Sequence, residues 1–228
     1  MSQLHRLTIA TCAIFLVACG GGESADSGAS TPALADANQP RAERMQRLLS
    51  TLAADSMEGR GTGTEGNARA ARFLAAELGR YGIEPAGDDG FYQTVPLARA
   101  TLPGMAGPRE SFVLPSDQVD FDTIPADRIV TGEVNVVGIV RGSDPAVANE
   151  AILIGAHYDH VGIGPAVPDE AGVPDSIYNG ADDDGSGTVA ILEIARELVE
   201  GPAPVSYTHL TLPTSAVAWG GGGGGGGG

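Results

Sequence analysis

The sequence predicts an α/β fold, and three observations carry that prediction. Apolar residues recur at helical spacing in the segments 41–54, 65–81 and 187–200. Two compact runs, 134–140 and 151–156, are rich in β-branched apolar residues, as buried central strands are. Polar loops containing His or Asp follow a strand or precede a helix, which is where α/β proteins place their sites.

The three helices are each marked by an apolar face and two of them by a clear end. The faces are formed by Met45, Leu48, Leu49 and Leu52, by Ala71, Leu74, Ala75 and Leu78, and by Val189, Leu192 and Ala195. Gly82 offers a left-handed stop to the second helix, and Gly201 with Pro202 ends the third.

The segments between the helices are less regular. Residues 91–97 predict a strand, which Pro96 would place at an edge. Residues 100–130 contain several prolines and predict a loop with one strand at most. The Gly-rich loop 55–66 neither follows a strand nor ends in Lys-Ser or Lys-Thr, which excludes a phosphate-binding loop.

The charge and the cysteines exclude further classes of protein. With 13 Lys plus Arg against 29 Asp plus Glu, the net charge is −16, so we expect no nucleic-acid partner, because such binding needs a basic patch. A hydrophobic content of 42% argues against a disordered acidic tail. Cys12 and Cys19 lie within the first 19 residues, which excludes a disulfide framework or a cysteine nucleophile in the main body.

Residues 1–19 resemble a bacterial lipoprotein signal peptide. A short polar start precedes an apolar stretch below the roughly 20 residues of a membrane span, and residues 16–19 (Leu-Val-Ala-Cys) resemble a lipobox. We expect lipidation of Cys19, a flexible tether at 20–39, and a lipid-anchored protein exported to the cell envelope, at the periplasmic face or in the outer membrane. A plain secretory signal with an incidental Cys19 is the alternative.

Residues 205–228 predict an artefactual or disordered tail. Residues 205–215 (VSYTHLTLPTS) carry no charge and no helical period, and they resemble translated sequencing-adapter read-through. Residues 220–228 are all glycine, which cannot bury a core. We therefore expect a partial domain at 40–204.

Two polar clusters carry the chemistry. Residues 157–160 (His-Tyr-Asp-His) directly follow the strand at 151–156, and residues 179–187 (Asn-Gly-Ala-Asp-Asp-Asp-Gly-Ser-Gly) lead into the third helix. A neutral imidazole is a good zinc ligand, and its second nitrogen usually donates to a carboxylate, a role open to Asp159. Consecutive aspartates repel one another unless a cation or a helix N-terminus compensates them. Together the clusters predict a metal site.

Each cluster taken alone also fits a simpler interpretation. A histidine at a strand end can be a surface residue, and an acidic Gly-rich turn can be a solvated helix cap. A calcium loop is the other metal interpretation of the aspartates. The run lacks the D-x-D-x-D-G spacing and the closing Glu of an EF-hand, so that pattern fails.

Residues 155–162 (GAHYDHVG) and 178–187 (YNGADDDGSG) together resemble the metal motifs of the co-catalytic zinc aminopeptidases of the bacterial leucyl type. That superfamily also contains glutamate carboxypeptidase-like and glutaminyl-cyclase-like proteins. Residues 57–66 (MEGRGTGTEG) resemble the loop between the first two helices of bacterial members, so the resemblance covers about residues 41–204. It implies a three-layer α/β sandwich around a mixed central sheet, the zinc exopeptidase-like fold, truncated at its C-terminal end.

The resemblance also implies roles for individual residues. His157 would bind one zinc ion, Asp159 would serve catalysis by orienting His157, and Asp183 would bridge two zinc ions. His160 matches no ligand position of the family and would have a structural or substrate-side role. The complete protein would then hydrolyse N-terminal residues from peptide substrates, using two zinc ions and a Glu as general base.

The peptide bond Asp183–Asp184 would be cis in such a protein, and Asp182 and Asp184 would be neighbours rather than ligands. The family's later Glu-Glu pair, Asp and His are missing, since residues 205–228 contain neither Asp nor Glu. We therefore expect this chain to be inactive. Two alternatives stay open: a single-zinc glutaminyl-cyclase-like enzyme, and a non-catalytic surface lipoprotein that binds a cation or a partner.

Overall fold

A computed structural model describes residues 39–103, 107–116, 119–169, 171–202, 204 and 207–213. Its α-helices in these ranges are α1 (Arg41–Leu52), α2 (Glu65–Arg80) and α3 (Ser186–Glu200). Each helix was predicted from its apolar periodicity, and the bounds agree to within two residues. The predicted signal at 1–19, with Cys19, and nearly all of the tether lie outside the described residues.

The ends of α2 follow from local chemistry. The Thr64 side chain accepts a hydrogen bond from the backbone N–H of Asn67 at 3.3 Å and so caps the first turn. Gly82 follows the helix with φ of 74°, a left-handed conformation that glycine adopts without a steric penalty. The predicted stop is therefore confirmed.

Ten strands form three sheets within the described residues: β1 (Glu84–Pro85), β2 (Tyr92–Thr94), β3 (Leu97–Leu102), β4 (Arg109–Val113), β5 (Ile129–Val130), β6 (Val134–Val140), β7 (Ala151–Gly155), β8 (Gly162–Pro168), β9 (Pro174–Tyr178) and β10 (Tyr207–Leu212). Short 3₁₀ turns lie at Asp55–Arg60, Phe121–Thr123, Ala126–Arg128 and Pro145–Val147.

The central sheet is mixed, as the family resemblance implied. Its order is β1-β6-β10-β7, and β2 pairs with β6 as well. Strand β10 runs antiparallel to β6 and parallel to β7. The start of β6 and the end of β7 therefore lie at the same edge of the sheet, and this edge carries the candidate site.

Strand β7 ends the sheet order and pairs on one side only among the described residues. Its residues Ile152 and Leu153 are 56% and 70% exposed, although the apolar run predicted a buried central strand. The prediction of a strand is confirmed and the prediction of its burial is wrong. Periodicity reports the apolar character of a strand, but burial depends on what covers it.

The prediction of a loop with one strand at most for 100–130 is also wrong. Strands β3, β4 and β5 form a separate antiparallel sheet in the order β4-β3-β5. These strands are short and partly exposed, so they lack the long apolar run that marks a central strand. The predicted strand at 91–97 divides into β2 and the start of β3, with Pro96 between them.

The prediction of an artefactual or disordered tail at 205–228 is wrong about disorder for one segment. Residues Tyr207–Leu212 form β10, and Leu210 and Leu212 are fully buried in the core. Their alternation with Thr211 suits a pleated strand, and the lack of charge that first indicated a tail also permits burial. The artefactual origin of the segment is untouched by this geometry and stays a prediction, and residues 214–228 lie outside the described residues.

One apolar core joins the three helices to the central sheet. Its fully buried members include Leu48, Leu52, Leu74, Leu78, Val136 and Leu192. Burial of this set provides the main stabilisation of the fold, because each large aliphatic side chain contributes about 1.5–3 kcal/mol. No helix in the described ranges has the length and apolarity that a membrane span requires.

Candidate metal centre

The structure brings His157 and Asp183 together. His157 stands just beyond the end of β7, and its Nε2 lies 3.2 Å from Oδ1 of Asp183, which precedes α3. The imidazole is largely buried, whereas the Asp183 carboxylate is 73% exposed. The two predicted ligands therefore converge on one point at the open edge of the sheet.

Asp159 holds the other nitrogen of the His157 ring. Nδ1 of His157 lies 3.1 Å from the backbone oxygen of Asp159 and 3.3 Å from its Oδ1. Both atoms are acceptors, so they favour the tautomer in which Nδ1 carries the proton and Nε2 offers its lone pair. The buried Asp159 carboxylate in turn accepts a hydrogen bond from Thr62 Oγ1 at 2.6 Å.

The three aspartates before α3 have different surroundings. Asp184 Oδ1 accepts a hydrogen bond from the backbone N–H of Gly187 at 3.2 Å, and Asp182 accepts one from Ser186 through its backbone oxygen. Asp183 alone makes contact with His157 through its carboxylate. The Asp183–Asp184 peptide bond is cis, as the family resemblance implied.

Gly180 makes the close approach of the two loops possible. Its φ is 57°, and a Cβ built on it would lie 2.5 Å from the ring of His160 and 2.7 Å from the backbone oxygen of Asp183. Any larger residue would separate the His-bearing loop from the Asp-bearing loop. Glycine at position 180 is thus explained both by its left-handed backbone conformation and by this close packing.

His160 lies nearer to the centre than its sequence position indicated. Its Nδ1 is 3.9 Å from Oδ2 of Asp183, the oxygen that His157 leaves free. Burial lowers the pKa of His160, while the nearby charge of Asp183 opposes that fall. At this distance His160 flanks the carboxylate without a hydrogen bond to it.

The residues present fit part of a zinc site. A neutral imidazole nitrogen and a carboxylate are both ordinary zinc ligands, and the imidazole is oriented by an acceptor on its far side. Among the described residues, no group of three or more His, Cys, Asp or Glu side chains is arranged to hold a metal ion. His157 and Asp183 are therefore an incomplete ligand set.

Three residues that support the centre were not predicted as site residues from the sequence: Arg60, Thr62 and Glu133. Arg60 and Thr62 belong to the Gly-rich loop that resembles the family's loop between its first two helices, a resemblance that assigned no role to either residue, and Glu133 immediately precedes β6. Arg60 is fully buried, which lowers its pKa, although the charges of Asp159 and Asp183 oppose that fall. The one signal available was the sequence Gly59-Arg60-Gly61, a charged residue between two glycines.

Glu133 lies beside the centre at the same edge of the sheet. It lines a cavity of about 270 Å³ together with Asn67 and Tyr158. Its Oε2 accepts a hydrogen bond from the backbone N–H of Gly63 at 2.7 Å, and Asn67 donates to its Oε1. Burial raises the pKa of Glu133 to about 7, and the charge of Asp159 adds to the rise.

Residues 135–212 match peptidase family M28, which confirms the family resemblance predicted from the two motifs. The segment contains both predicted ligands. Leucine aminopeptidase 1 of Trichoderma harzianum is 41% identical over 66 residues, which cover 26% of this chain and 15% of that protein.

Solved structures similar to this chain include glutaminyl cyclases and exopeptidases. Tannerella forsythia glutaminyl cyclase is 25% identical, with 75% of this chain and 45% of that chain covered and a TM-score of 0.40. A leucine aminopeptidase precursor from Bacteroides thetaiotaomicron is 19% identical, with coverage of 75% and 46% and a TM-score of 0.41. A Zn-dependent exopeptidase from Parabacteroides distasonis is 22% identical, with coverage of 75% and 45% and a TM-score of 0.41. The chain thus spans less than half the length of each of these structures.

Proposed function

We propose, from the match of residues 135–212 to peptidase family M28, that this chain is part of a zinc aminopeptidase that removes N-terminal residues from peptides. One observation carries the proposal: Nε2 of His157 meets Oδ1 of Asp183 at 3.2 Å while Asp159 holds the opposite ring nitrogen. The arrangement is the one that a zinc-binding imidazole and a shared carboxylate require.

His157 and Asp183 would hold the zinc in the complete protein. When bound, zinc would polarise the scissile carbonyl and lower the pKa of water at the site. Asp159 would accept the Nδ1 proton of the neutral His157 ring, which leaves the lone pair of Nε2 for the metal. The exposed Asp183 carboxylate would leave one face of the site open to a peptide.

We expect the 228-residue chain itself to lack peptidase activity. A catalytic zinc site needs three protein ligands and a general base, and the described residues bring only two predicted ligands together. The remaining ligands and the base would come from further chain in the complete gene product.

The test uses the complete gene product with zinc and an aminoacyl chromogenic substrate. His157→Ala and Asp183→Asn are expected to abolish turnover, since each removes a ligand. Asp182→Asn is the matched control, because it makes the same change of charge in the same loop but removes no carboxylate contact to His157. It is expected to retain activity close to wild type.

Equal losses in Asp182→Asn and Asp183→Asn would contradict the proposed role of Asp183. Product analysis separates the enzyme classes. A free N-terminal amino acid supports an aminopeptidase, whereas a cyclised N-terminal residue would replace it by the glutaminyl-cyclase alternative. Zinc stoichiometry, expected to be two ions per chain, is measured on the same preparation.

We also propose that the protein is exported and anchored in the cell envelope through lipid on Cys19. The support is the lipobox-like run that ends at Cys19. Cys19→Ala is expected to move the protein from the membrane fraction to the soluble fraction and to abolish labelling by a palmitate analogue. Cys12→Ala, inside the same signal, is the matched control and is expected to change neither. Unchanged labelling in Cys19→Ala would overturn the proposal.

A further inference from the structure

Arg60 joins three segments of the chain through its guanidinium group. Its Nε donates to the backbone oxygen of Tyr158 at 2.5 Å, and its Nη2 donates to that of Gly180 at 2.7 Å. Its Nη1 donates to the backbone oxygens of Leu52 at 2.7 Å and of Asn179 at 2.6 Å. All four acceptors are carbonyl groups, so the planar fork of Arg60 is used for geometry rather than for an ion pair.

The carbonyl acceptors flank both predicted zinc ligands. Tyr158 is the immediate neighbour of His157, while Asn179 and Gly180 begin the loop that carries Asp183. Arg60 also receives a contact from this region, because the backbone N–H of His160 donates to its oxygen at 3.0 Å. One side chain therefore links the two ligand-bearing loops directly, at the base of the β8–β9 hairpin, whose paired end residues Gly162 and Tyr178 follow the first loop and precede the second.

The backbone at Arg60 is held in an unfavourable conformation. Arg60 has φ of 49° and Glu58 has φ of 51°, both in the left-handed region that side chains other than glycine rarely adopt. Such residues cost about 1–3 kcal/mol each and persist where the surroundings determine them, often at functional sites. The chain thus places a strained, fully buried arginine directly behind the candidate metal centre.

We propose that Arg60 is a positioning residue that sets the separation of His157 and Asp183 for zinc. The inference rests on the proposed zinc site and adds a residue that no motif assigns to it. The guanidinium of Arg60 donates to backbone carbonyls and makes no hydrogen bond to the His157 ring or to the Asp183 carboxylate in the described structure. It acts through the backbone on both sides of the site, and its loss would let the two ligand-bearing loops move apart.

A purely electrostatic role would have the opposite sign. The positive charge of Arg60 lies near Asp159 and Asp183 and repels a bound cation. If charge were its main influence, removal of Arg60 would strengthen zinc binding. If position is the main influence, removal weakens binding, because loss of the groups that orient a ligand typically costs 10–100-fold in metal affinity.

The experiment measures the zinc affinity of the complete gene product, as wild type and as variants, by competition with a chromogenic chelator. Arg60→Lys and Arg60→Gln are each expected to bind zinc about ten-fold more weakly than the unchanged chain, since neither reproduces the fork. Arg44→Lys is the matched control, because Arg44 is another buried arginine, bonded to Glu193 and Gln39. It is expected to leave zinc affinity unchanged.

Cobalt(II) provides a readout that stability alone would not move. Its visible absorption reports the geometry of the ligands, and we expect the band position to change in Arg60→Lys but not in Arg44→Lys. Unchanged zinc affinity in Arg60→Lys, or tighter binding in Arg60→Gln, would overturn the inference. If both Arg60 variants fail to fold, the inference is tested instead by hydrogen exchange of backbone amides in the unchanged chain, with and without zinc.

In that measurement, zinc is expected to slow exchange of the His160 and Gly185 amides, which donate to Arg60 and Gly180. The Ala53 amide at the end of α1 serves as the reference and is expected to be unaffected. Absence of protection at His160 and Gly185 would count against the role of Arg60. His157→Ala separates the two proposals: if the unchanged chain binds zinc no better than this variant, the zinc site itself fails.

Discussion

Two buried arginines in this chain solve the problem of a buried charge in different ways. Arg44 of α1 forms a two-point ion pair with Glu193 of α3, with distances of 3.1 and 2.7 Å. Arg60 has only backbone carbonyls as its named hydrogen-bond acceptors. The first arrangement joins two helices that already pack together, and the second joins two loops at the base of the β8–β9 hairpin. Burial of a charge therefore indicates a positioning role only when its partners lie in irregular chain.

The largest expected effect is on stability and concerns the ion pair between Arg44 and Glu193. Arg44→Met alone is expected to destabilise the chain by about 4 kcal/mol, because it leaves the Glu193 carboxylate buried and unpaired. Arg44→Met with Glu193→Leu is expected to restore most of that loss, since apolar residues of similar volume replace such pairs well. Urea unfolding followed by circular dichroism measures both. If the double variant is as unstable as Arg44→Met, apolar residues cannot replace this ion pair and the expectation is wrong.

A smaller loss of stability is expected from a substitution in the loop that carries Arg60. Gly59 has φ of 64°, and a Cβ there would lie 2.4 Å from the backbone oxygen of Gly162 and 2.7 Å from that of Tyr178. Gly59→Ala is expected to cost about 3 kcal/mol, the sum of a left-handed alanine and a forced displacement of backbone. Gly90 has φ of 62° with nothing within 4 Å of a Cβ, so Gly90→Ala is expected to cost only about 1 kcal/mol.

Thermal and urea unfolding of Gly59→Ala and Gly90→Ala give the comparison directly. The difference between them isolates the close approach of the loop to the β8–β9 hairpin from the backbone conformation. Equal losses would mean that the loop adjusts without cost, and the support that it gives to the site would then be weak.

The smallest expected effect concerns pH and Glu133. Below about pH 4.5 the carboxyl is neutral in both the folded and the unfolded chain. Between pH 4.5 and about 7 it ionises in the unfolded chain and stays protonated in the folded one, so folding stability falls across this window. Glu133→Gln removes this dependence. The free energy of unfolding of the variant, relative to that of the unchanged chain, is therefore expected to rise by roughly 2 kcal/mol between pH 4.5 and about 7.

Urea unfolding in the presence of a chelator, at the two ends of that window, measures the gain. Among the described residues, Asn67 Oδ1 has no hydrogen-bond partner, and the amide of a glutamine at 133 can donate to it after rotation, so the variant should fold. Glu84→Gln is the control, because Arg141 lowers the pKa of this exposed carboxyl, and no such gain is expected. Parallel pH profiles for Glu133→Gln and the unchanged chain would contradict the raised pKa.

The sequence predicted those features that depend on local pattern. Helical spacing of apolar residues predicted α1, α2 and α3, and the family resemblance of the two polar motifs singled out His157 and Asp183, whose side chains lie 3.2 Å apart. Patterns of this kind work because side-chain periodicity and ligand chemistry are written into neighbouring positions.

The features that the sequence did not predict depend on distant partners. Arg60 bonds to carbonyls that lie 8, 98, 119 and 120 positions away, and a carbonyl group leaves no signal in the residue types. The small sheet of β3, β4 and β5 was missed because partly exposed strands have no long apolar run. Strand β10 was interpreted as a tail because an uncharged alternating segment fits both descriptions.

The outer side of β7 has a consequence for handling the protein. This strand offers unpaired backbone donors and acceptors along its free side in the described part of the chain, next to the exposed Ile152 and Leu153. Such an edge is a template for another extended chain, and copies of the protein are expected to self-associate through it as concentration rises. A charged substitution such as Leu153→Lys should keep preparations monodisperse, which light scattering would reveal.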